Sequence, residues 1–596
     1  MIRRRLAIAG LGFGLFLATA GEPPKSAPAA SPQLAQVVER VWARMQENSL
    51  PLRRQLGLPL ERLPRVSEAA AKEDAAFAAA TLDDLAKLDR TTLGDTDLDT
   101  IGVLEELLGQ DVALARHHGV LPSLTPYASP LAEVRRAFST FGFSTAEDAR
   151  RYERLLADFP RLIDDLDRLS RDQAAHGVRT ARPELPAVRA DLESFAGDGG
   201  RALFVPAPER LAALKEAERG RLRAAAEKIR LERIEPALAS LRSTLGPEYE
   251  SVAPAEVGLG RQPGGPEAYR ALIRSRVGSD RTPEEIHAVG LAQMERIRGE
   301  LEGLRQAFGF TGTLEEFRRS LRTDKKYFAT RAEDLGERME AAHQRILPLV
   351  AGAFSAQPKA PGGVERLASE LEAAVTFGYY DPPRPGRDRG VYFYNGSKPS
   401  ERSLLFAAAL IYHELVPGHH FQIGLQLENE ELSLLRRAYY STAYTEGWGE
   451  YASDLAGEMG LYRDPWDRAG RLMMDAFTSA RLVVDTGMNA LGWTREQASQ
   501  YLRDNTFQSD AEIATETLRY SCDIPAQALA YKLGALEIRR LRADAKERLG
   551  ERFDLAGFHA TVLGAGTVPL PVLQARVERW VLATSRRDVE RDRSRK

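Results

Sequence analysis

A helical pattern of apolar residues runs through most of this chain and restricts it to a mainly α fold. From residue 33 to about residue 250, Leu, Ala, Arg and Glu dominate and β-branched residues are sparse. Apolar positions recur at helical spacing between charged ones, as in residues 209–242, which favours amphipathic helices over strands. Thr282-Pro283-Glu284-Glu285 predicts a further helix start, because it combines an N-cap, a proline at the first position and a capping box.

One segment departs from this pattern. Residues 377–380 and 391–394 are aromatic, strand-like runs, and the turn-forming residues 381–386 lie between them. The sequence therefore predicts a large multi-helical fold with one short β-hairpin, whose edge is available to an extended peptide or is packed on the helices.

The two ends of the chain differ from the rest in composition. Arg3, Arg4 and Arg5 precede an apolar stretch, and Ala18-Thr19-Ala20 follows it, which predicts a signal peptide over residues 1–20 and a periplasmic or secreted protein. A membrane anchor is less favoured, because the apolar stretch is short for a bilayer span. Residues 21–32 are rich in Pro, Ala and Ser and predict a flexible lead-in, and residues 586–596 form a basic tail.

Between these ends we expect an N-terminal helical region over residues 33–250 and a metal-binding catalytic region over residues 251–585. Residues 251–265 are rich in Gly and Pro, and they form either a linker or a loop near the active site. We expect the two regions to form one continuous large domain. The sequence assigns no oligomeric state.

Charge and cysteine content exclude several classes of function. The 82 basic and 85 acidic residues nearly cancel, so no net positive field attracts nucleic acid. No membrane contact is expected once the signal has been removed. Cys522 is the single cysteine in the sequence, which excludes an intrachain disulfide and a thiolate metal cluster. Any metal site in this chain must use imidazoles and carboxylates.

Three of the nine histidines, His413, His419 and His420, fall within eight residues. In the zinc-peptidase helix H-E-x-x-H, two histidines one turn apart bind the metal. Here the second histidine is six residues on, which on a straight helix lies about 120° away and roughly 9 Å along the axis. Because Pro417 removes a helical hydrogen bond and Gly418 permits an excursion, we expect a broken turn that returns His419 to the metal. His420 is the alternative ligand.

Zinc held by two histidines usually takes a carboxylate as its third protein ligand. Glu446, Glu450 and Asp454 recur every four residues and share one helical face. We predict Glu446 as the third ligand, and Glu450 and Asp454 either as acceptors that orient the histidines or as a solvated acidic face. Glu446 followed by Gly resembles the third-ligand Glu of the gluzincin aminopeptidases.

The H-E-x-x-P-G-H-H string and the E-G-W block around Glu446 resemble the bacterial domain-of-unknown-function 885 family, a zincin-like group of metallopeptidases. The blocks at residues 481–494 and 525–534 also resemble this family. The resemblance implies a predominantly α, zincin-like fold around a deep metal cleft. We expect the short hairpin near this cleft. Two positions depart from the family pattern, because Asn489 stands where His is expected and Ala526 where Gly is usual.

These features predict a zinc-dependent hydrolase, most simply a metallopeptidase with one Zn²⁺ per chain and a peptide or small amide as substrate. Glu414 is the expected general base. Tyr520, Tyr531 and Arg481 are candidate donors to the oxyanion, although each has a structural alternative such as an Arg481–Asp485 pair. An amidase or esterase acting on a non-peptide, and an exported binding protein that has lost catalysis, remain open alternatives.

Overall fold

The computed structural model describes residues 31–126, 128–372, 378–384 and 387–595, with side chains described to residue 586. The predicted signal peptide and all but the last two residues of the predicted lead-in lie outside this part of the chain. Within it, no helix is both long enough and apolar enough to cross a membrane.

The fold is mainly α, which confirms the prediction from the apolar pattern. The helices before the sheet are α1 (Pro32–Asn48), α2 (Leu50–Gln55), α3 (Glu68–Ala86), α4 (Asp95–Ala115), α5 (Pro130–Ser139), α6 (Ala146–Ala175), α7 (Leu185–Glu193), α8 (Gly197–Phe204), α9 (Glu216–Ile229), α10 (Glu235–Thr244), α11 (Pro247–Ser251), α12 (Gly265–Val277), α13 (Pro283–Ala307), α14 (Leu314–Thr323) and α15 (Ala332–Ile346). Those after the sheet are α16 (Ala407–Glu414), α17 (His419–Glu428), α18 (Leu434–Ala438), α19 (Thr442–Glu458), α20 (Pro465–Asn489), α21 (Arg495–Asn505), α22 (Asp510–Leu518), α23 (Leu529–Leu549), α24 (Leu555–Gly564) and α25 (Leu570–Arg595).

Helix α13 begins as predicted from its sequence. The Thr282 hydroxyl accepts a hydrogen bond from the Glu285 backbone N–H, and the Glu285 carboxylate accepts one from the Thr282 N–H. This capping box satisfies two backbone donors that the first turn of a helix leaves without partners.

The β-structure is larger than the predicted hairpin. Strand β2 (Gly378–Asp381) pairs antiparallel with β3 (Gly390–Tyr394), as the aromatic runs predict. A third strand, β1 (Gly362–Arg366), pairs in parallel with the other edge of β3 and was missed. The reason is that residues 362–366, Gly-Gly-Val-Glu-Arg, carry no apolar alternation, so only the pairing with β3 defines them as a strand.

Apolar side chains between Leu50 and Ala253 form a core of their own, built mainly from α5 to α10. Helices α1, α3 and α4 instead share a core with α12, α19, α23 and α25. Asp99 on α4 is 1% exposed and accepts hydrogen bonds at 2.5 Å from both Arg576 and Arg579 on α25. The two ends of the described chain therefore pack against each other, and the division at residue 250 stays a prediction.

Two close helix pairs carry the candidate site. Helix α13 packs along α20, and α19 packs along α23, with α16 in contact with α15, α19 and α20. The α19–α23 crossing is unusually close, because a Cβ on Gly447 would lie 2.6 Å from the Gly534 Cα. This crossing fixes the height of Glu446, the neighbour of Gly447, relative to α23.

Candidate metal centre

The helix that carries His413 and Glu414 ends directly after them. Leu415 has φ −108° and ψ −102°, the Val416–Pro417 peptide is cis, and α17 begins at His419. Gly418 packs so closely against the end of α16 that a Cβ there would lie 1.8 Å from the His413 carbonyl oxygen. The Pro-Gly pair thus breaks the helix and starts a second one, so that His419 no longer follows the helical path from His413.

A buried tryptophan fixes this break to the neighbouring helix. The Trp448 indole N–H on α19 donates a 2.8 Å hydrogen bond to the Pro417 carbonyl oxygen. Trp448 is fully buried. Since Trp448 lies two residues after Glu446, the same helix positions the turn and the third candidate ligand.

The break brings together the three residues predicted as ligands. The Nε2 atoms of His413 and His419 lie 3.5 and 3.4 Å from the Glu446 Oε2 atom. The two imidazole rings stand edge to face at 81°, with their centroids 4.5 Å apart. All three residues are at most 6% exposed. Two imidazoles and a carboxylate therefore converge on one point in the interior.

These separations fit a single small metal ion. Tetrahedral zinc with bonds of about 2.0–2.1 Å to nitrogen and oxygen places its ligand atoms about 3.3–3.5 Å apart. The two measured nitrogen–oxygen separations agree with that value, and one ligand atom from each residue lies within 4.8 Å of the others. The donor set of two imidazoles and one carboxylate is also the set that catalytic zinc sites use. The residues present therefore fit the metal.

Glu450 supports the back of the His413 ring. Its Oε1 atom lies 3.1 Å from the His413 Nδ1 atom, and its Oε2 atom accepts a 2.9 Å hydrogen bond from Arg471. Burial raises the pKa of Glu450, but Arg471 and His413 outweigh burial and lower it to about 2. Gly449 lies under the other face of the ring, where a Cβ would be 2.7–2.9 Å from three ring atoms. The imidazole is thus held against α19 by the close approach of Gly449 and by the charged carboxylate of Glu450.

Asp454 does not contact a histidine ligand. It pairs instead with Arg471, at 2.6 Å, and with Arg539. Asp454 can therefore influence His413 only indirectly, through Arg471, which also contacts Glu450.

His420, the alternative ligand, faces the sheet. Its Nδ1 atom forms a 2.9 Å hydrogen bond with the Tyr380 hydroxyl, and its Nε2 atom forms one of 3.0 Å with the Ala360 carbonyl oxygen. Burial lowers the pKa of His420 to about 4, which keeps the ring neutral. Both ring nitrogens are occupied by these contacts, so His420 joins the sheet to α17 in this conformation.

Glu414 follows His413 directly and is partly exposed. Burial among protein atoms raises its pKa, an effect that the positive charges of His419 and His413 oppose. Burial raises the pKa values of Tyr380 on β2 and Tyr392 on β3, and the charge of Glu414 adds to both shifts. The sheet therefore borders the site on the side of Glu414, where we expected the hairpin.

Two tyrosines lie beside Glu446. The Tyr440 hydroxyl donates a 3.3 Å hydrogen bond to the Glu446 Oε1 atom, and the Tyr531 phenol interacts with the same carboxylate. Burial and Glu446 raise the pKa of Tyr531 to about 12, so it is a neutral donor at ordinary pH. Tyr531 was predicted from a sequence block, whereas Tyr440 was missed. Its only signal was its place six residues before Glu446.

Arg481 and Tyr520 form a separate cluster next to Tyr531. The Arg481 Nε–H donates a 2.6 Å hydrogen bond to the Tyr520 hydroxyl, and its Nη2 atom lies 3.2 Å from Glu516. The Arg481 guanidinium lies 4.7 Å from the centre of the Tyr531 ring. Arg481 thus pairs with Glu516 and not, as one alternative had it, with Asp485.

The two positions that depart from the family pattern have structural surroundings. Asn489 accepts a hydrogen bond from the Leu259 N–H at 2.9 Å and donates to the backbone oxygens of Asp485 and Tyr520 at 3.0 Å. Ala526 has φ +66°, the left-handed region that favours glycine, and its N–H donates to the Asp485 carboxylate. The backbone itself therefore accounts for the usual glycine at position 526.

Comparison with known proteins identifies the family of this chain. The family described as "Bacterial protein of unknown function (DUF885)" matches residues 52–577. The chain belongs to the DUF885 family. This match spans the histidines, Glu446 and the two tyrosines. No curated protein matches the chain.

Two solved structures share the fold. A candidate lipoprotein from Colwellia psychrerythraea is 27% identical, with a TM-score of 0.78 over 92% of this chain and 98% of its own. A candidate lipoprotein of unknown function from Shewanella oneidensis is 17% identical, with a TM-score of 0.70 over 92% of this chain and 99% of its own. The second of these likenesses shows the fold alone.

Proposed function

We propose that this DUF885 protein is a zinc-dependent hydrolase of the metallopeptidase type with a zincin-like site. The observation that carries the proposal is the convergence of His413, His419 and Glu446 on one point, with Glu414 beside them. These three residues would hold the ion. When bound, zinc supplies a Lewis acid that activates water and polarises a carbonyl group.

The remaining chemistry falls to side chains of this chain. Glu414 accepts the proton of the attacking water and passes it to the leaving nitrogen, and burial raises its pKa, which favours the protonated form that the second transfer needs. Tyr531 keeps its proton because burial and Glu446 raise its pKa, so it can donate a hydrogen bond to a developing oxyanion, whereas the Tyr440 hydroxyl already donates to Glu446. Glu450 fixes the orientation of the His413 ring through its Nδ1 atom.

A peptide substrate is favoured over a small amide by the sheet. In the part of the chain that the structure describes, β2 lies at one edge of the three-stranded sheet, and the charge of Glu414 adds to the burial that raises the pKa of its Tyr380. An extended peptide can pair with the backbone of an edge strand. A peptide that pairs with the backbone of β2 would therefore lie next to the site.

Export of the protein is part of the proposal. It is supported by the Ala18-Thr19-Ala20 pattern after an apolar stretch and by the lipoprotein description of the Colwellia psychrerythraea structure, which is 27% identical. Sequencing of the N-terminus of the purified native protein is expected to begin at Gly21.

Glu414→Gln separates metal binding from turnover. We expect the variant to retain about one zinc per chain by elemental mass spectrometry and to lose hydrolysis of a peptide library, because a neutral amide cannot take the proton. His413→Ala is expected to lose the metal. Glu430→Gln, at an exposed glutamate after α17, is the matched control and should keep both properties. Turnover that survives in Glu414→Gln would refute the assignment of the base, and a wild-type protein that takes up no zinc would refute the whole proposal.

A further inference from the structure

Two arginines converge on one glutamate beside the candidate metal centre. Arg481 on α20 and Arg519, in the π-helical turn that follows α22, lie 3.2 and 3.3 Å from opposite oxygens of Glu516. The Tyr520 hydroxyl donates to the same carboxylate. Gln527 accepts a 2.9 Å hydrogen bond from the Arg519 Nη2 atom. We name these five residues the arginine cluster.

The arginine cluster carries one positive charge in excess. Its two guanidinium groups face one carboxylate, and its other two members, Tyr520 and Gln527, are neutral. Glu516 therefore compensates only one of the two cations. An excess charge held among buried groups is unfavourable unless an anion joins it, and guanidinium groups bind carboxylates through paired hydrogen bonds. The charge balance of the cluster thus fits an anionic ligand.

The cluster lies directly next to the proposed reaction centre. Tyr531 is one helical turn before Gly534, and Glu446 precedes Gly447, so the close crossing of α19 and α23 places Tyr531 beside Glu446. The Arg481 guanidinium also lies over the Tyr531 ring, 4.7 Å from its centre. Tyr531 therefore neighbours both the candidate metal ligand and a cationic group of the cluster.

The cluster is also reachable. Arg519, Glu516 and Tyr531 are all partly exposed, as is Glu414, whereas Arg481 is only 7% exposed. A ligand can therefore reach Arg519 more readily than Arg481. Arg481 can support Arg519 through the carboxylate that the two share.

We infer that Arg519, supported by Arg481, binds the free C-terminal carboxylate of the substrate, so that the protein cleaves peptides near their carboxyl ends. This inference rests on the proposed function for the reaction, but the cluster predicts a binding preference that needs no turnover. The ligand class is a carboxylate at the end of a short extended chain. Arg519 acts in specificity and takes no part in proton transfer.

Binding in the Glu414→Gln background tests the inference without hydrolysis. The probes are acetyl-trialanine with a free carboxyl terminus and the same peptide as its C-terminal amide, titrated by calorimetry into the zinc-loaded protein. We expect the free acid to bind about tenfold more tightly or better, because only the acid makes a charge-assisted hydrogen bond. Arg519→Gln should reduce this preference to within about twofold, and Arg519→Lys should keep part of it.

Arg503→Gln, at an arginine on α21 that lies outside the cluster, is the matched control and should keep the full preference. Circular dichroism and the melting temperature of each variant separate loss of the carboxylate site from loss of the fold. Equal affinity for acid and amide, failure to bind the acid, or a preference that survives in a folded Arg519→Gln variant would overturn the inference.

Peptide digestion separates this inference from the proposed function. If the wild-type protein cleaves amidated peptides as well as free acids, and this cleavage requires His413, the proposed hydrolase is supported and the carboxylate site is refuted. If no peptide is cleaved but the acid still binds through Arg519, the carboxylate site stands and the peptidase falls.

Discussion

The contact between Gly449 and the His413 ring allows the metal centre to be perturbed without a change in any ligand. In Gly449→Ala, the added Cβ would lie 2.7, 2.8 and 2.9 Å from the Cε1, Nε2 and Nδ1 atoms of the ring. Carbon atoms pack best at about 3.5–4.0 Å, so the ring must move away by about 0.8 Å. Metal–ligand distances tolerate only about 0.2 Å.

We therefore expect zinc affinity to fall by at least the 10–100-fold that is typical when the support of a ligand is disturbed. Competition with a chromogenic chelator measures this dissociation constant. The stability of the metal-free protein should be affected less than its zinc affinity, because alanine is favoured over glycine in a helix by about 0.5–1 kcal/mol. Thermal unfolding of the metal-free variant separates the two effects.

Gly303→Ala on α13 is the matched control. A Cβ at that helical glycine meets no atom within 4 Å. The control should gain stability and bind zinc with wild-type affinity. If Gly449→Ala also keeps wild-type affinity, His413 does not hold the metal in the position described, and the reasoning fails.

Three further predictions concern neighbouring groups. Glu450→Gln should weaken zinc binding about 10–100-fold while Asp454→Asn leaves it unchanged, since only Glu450 contacts His413. Competition with a chelator measures both affinities, and equal losses of zinc affinity in the two variants would contradict this prediction. The free energy of unfolding in urea should be at least about 1 kcal/mol higher for Ala526→Gly than for Ala528→Gly, because Ala526 has φ +66° and Ala528 has φ −64°. Equal stabilities of the two variants would contradict the backbone argument. Burial raises the pKa of Glu184 to about 8, above its unfolded value. The free energy of unfolding should therefore fall as pH rises from about 4.5 to 8, and this dependence on pH should be weaker in Glu184→Gln.

The sequence contained most of what local chemistry decides. The capping box at Thr282 predicted the start of α13, and the aromatic runs predicted β2 and β3. The Pro417-Gly418 pair predicted a break between His413 and His419, because a proline and a glycine change the backbone where they stand. Features of this kind depend on a few adjacent residues and can be inferred from them.

What the sequence could not supply depends on residues far apart along the chain. Strand β1 exists only through its pairing with β3, and Arg471 joins Glu450 to Asp454 without any motif of its own. Glu450 and Asp454 were predicted as equivalent, since they share a helical face. The structure separates them, because one turn along α19 the neighbour changes from His413 to arginines on α20 and α23.

The packing of α4 against α25 affects when the newly synthesised chain can complete its fold. The ligands lie in the middle of the sequence, yet the core around them includes α4, and α4 is held by Arg576 and Arg579 on the last helix. Contacts this distant in sequence form late, since closing a long loop is slow. The folded core around the ligands is complete only after synthesis has reached the carboxyl end. The core of a nascent chain therefore stays incomplete until α25 has been synthesised, and the architecture of the fold delays the proposed activity until then.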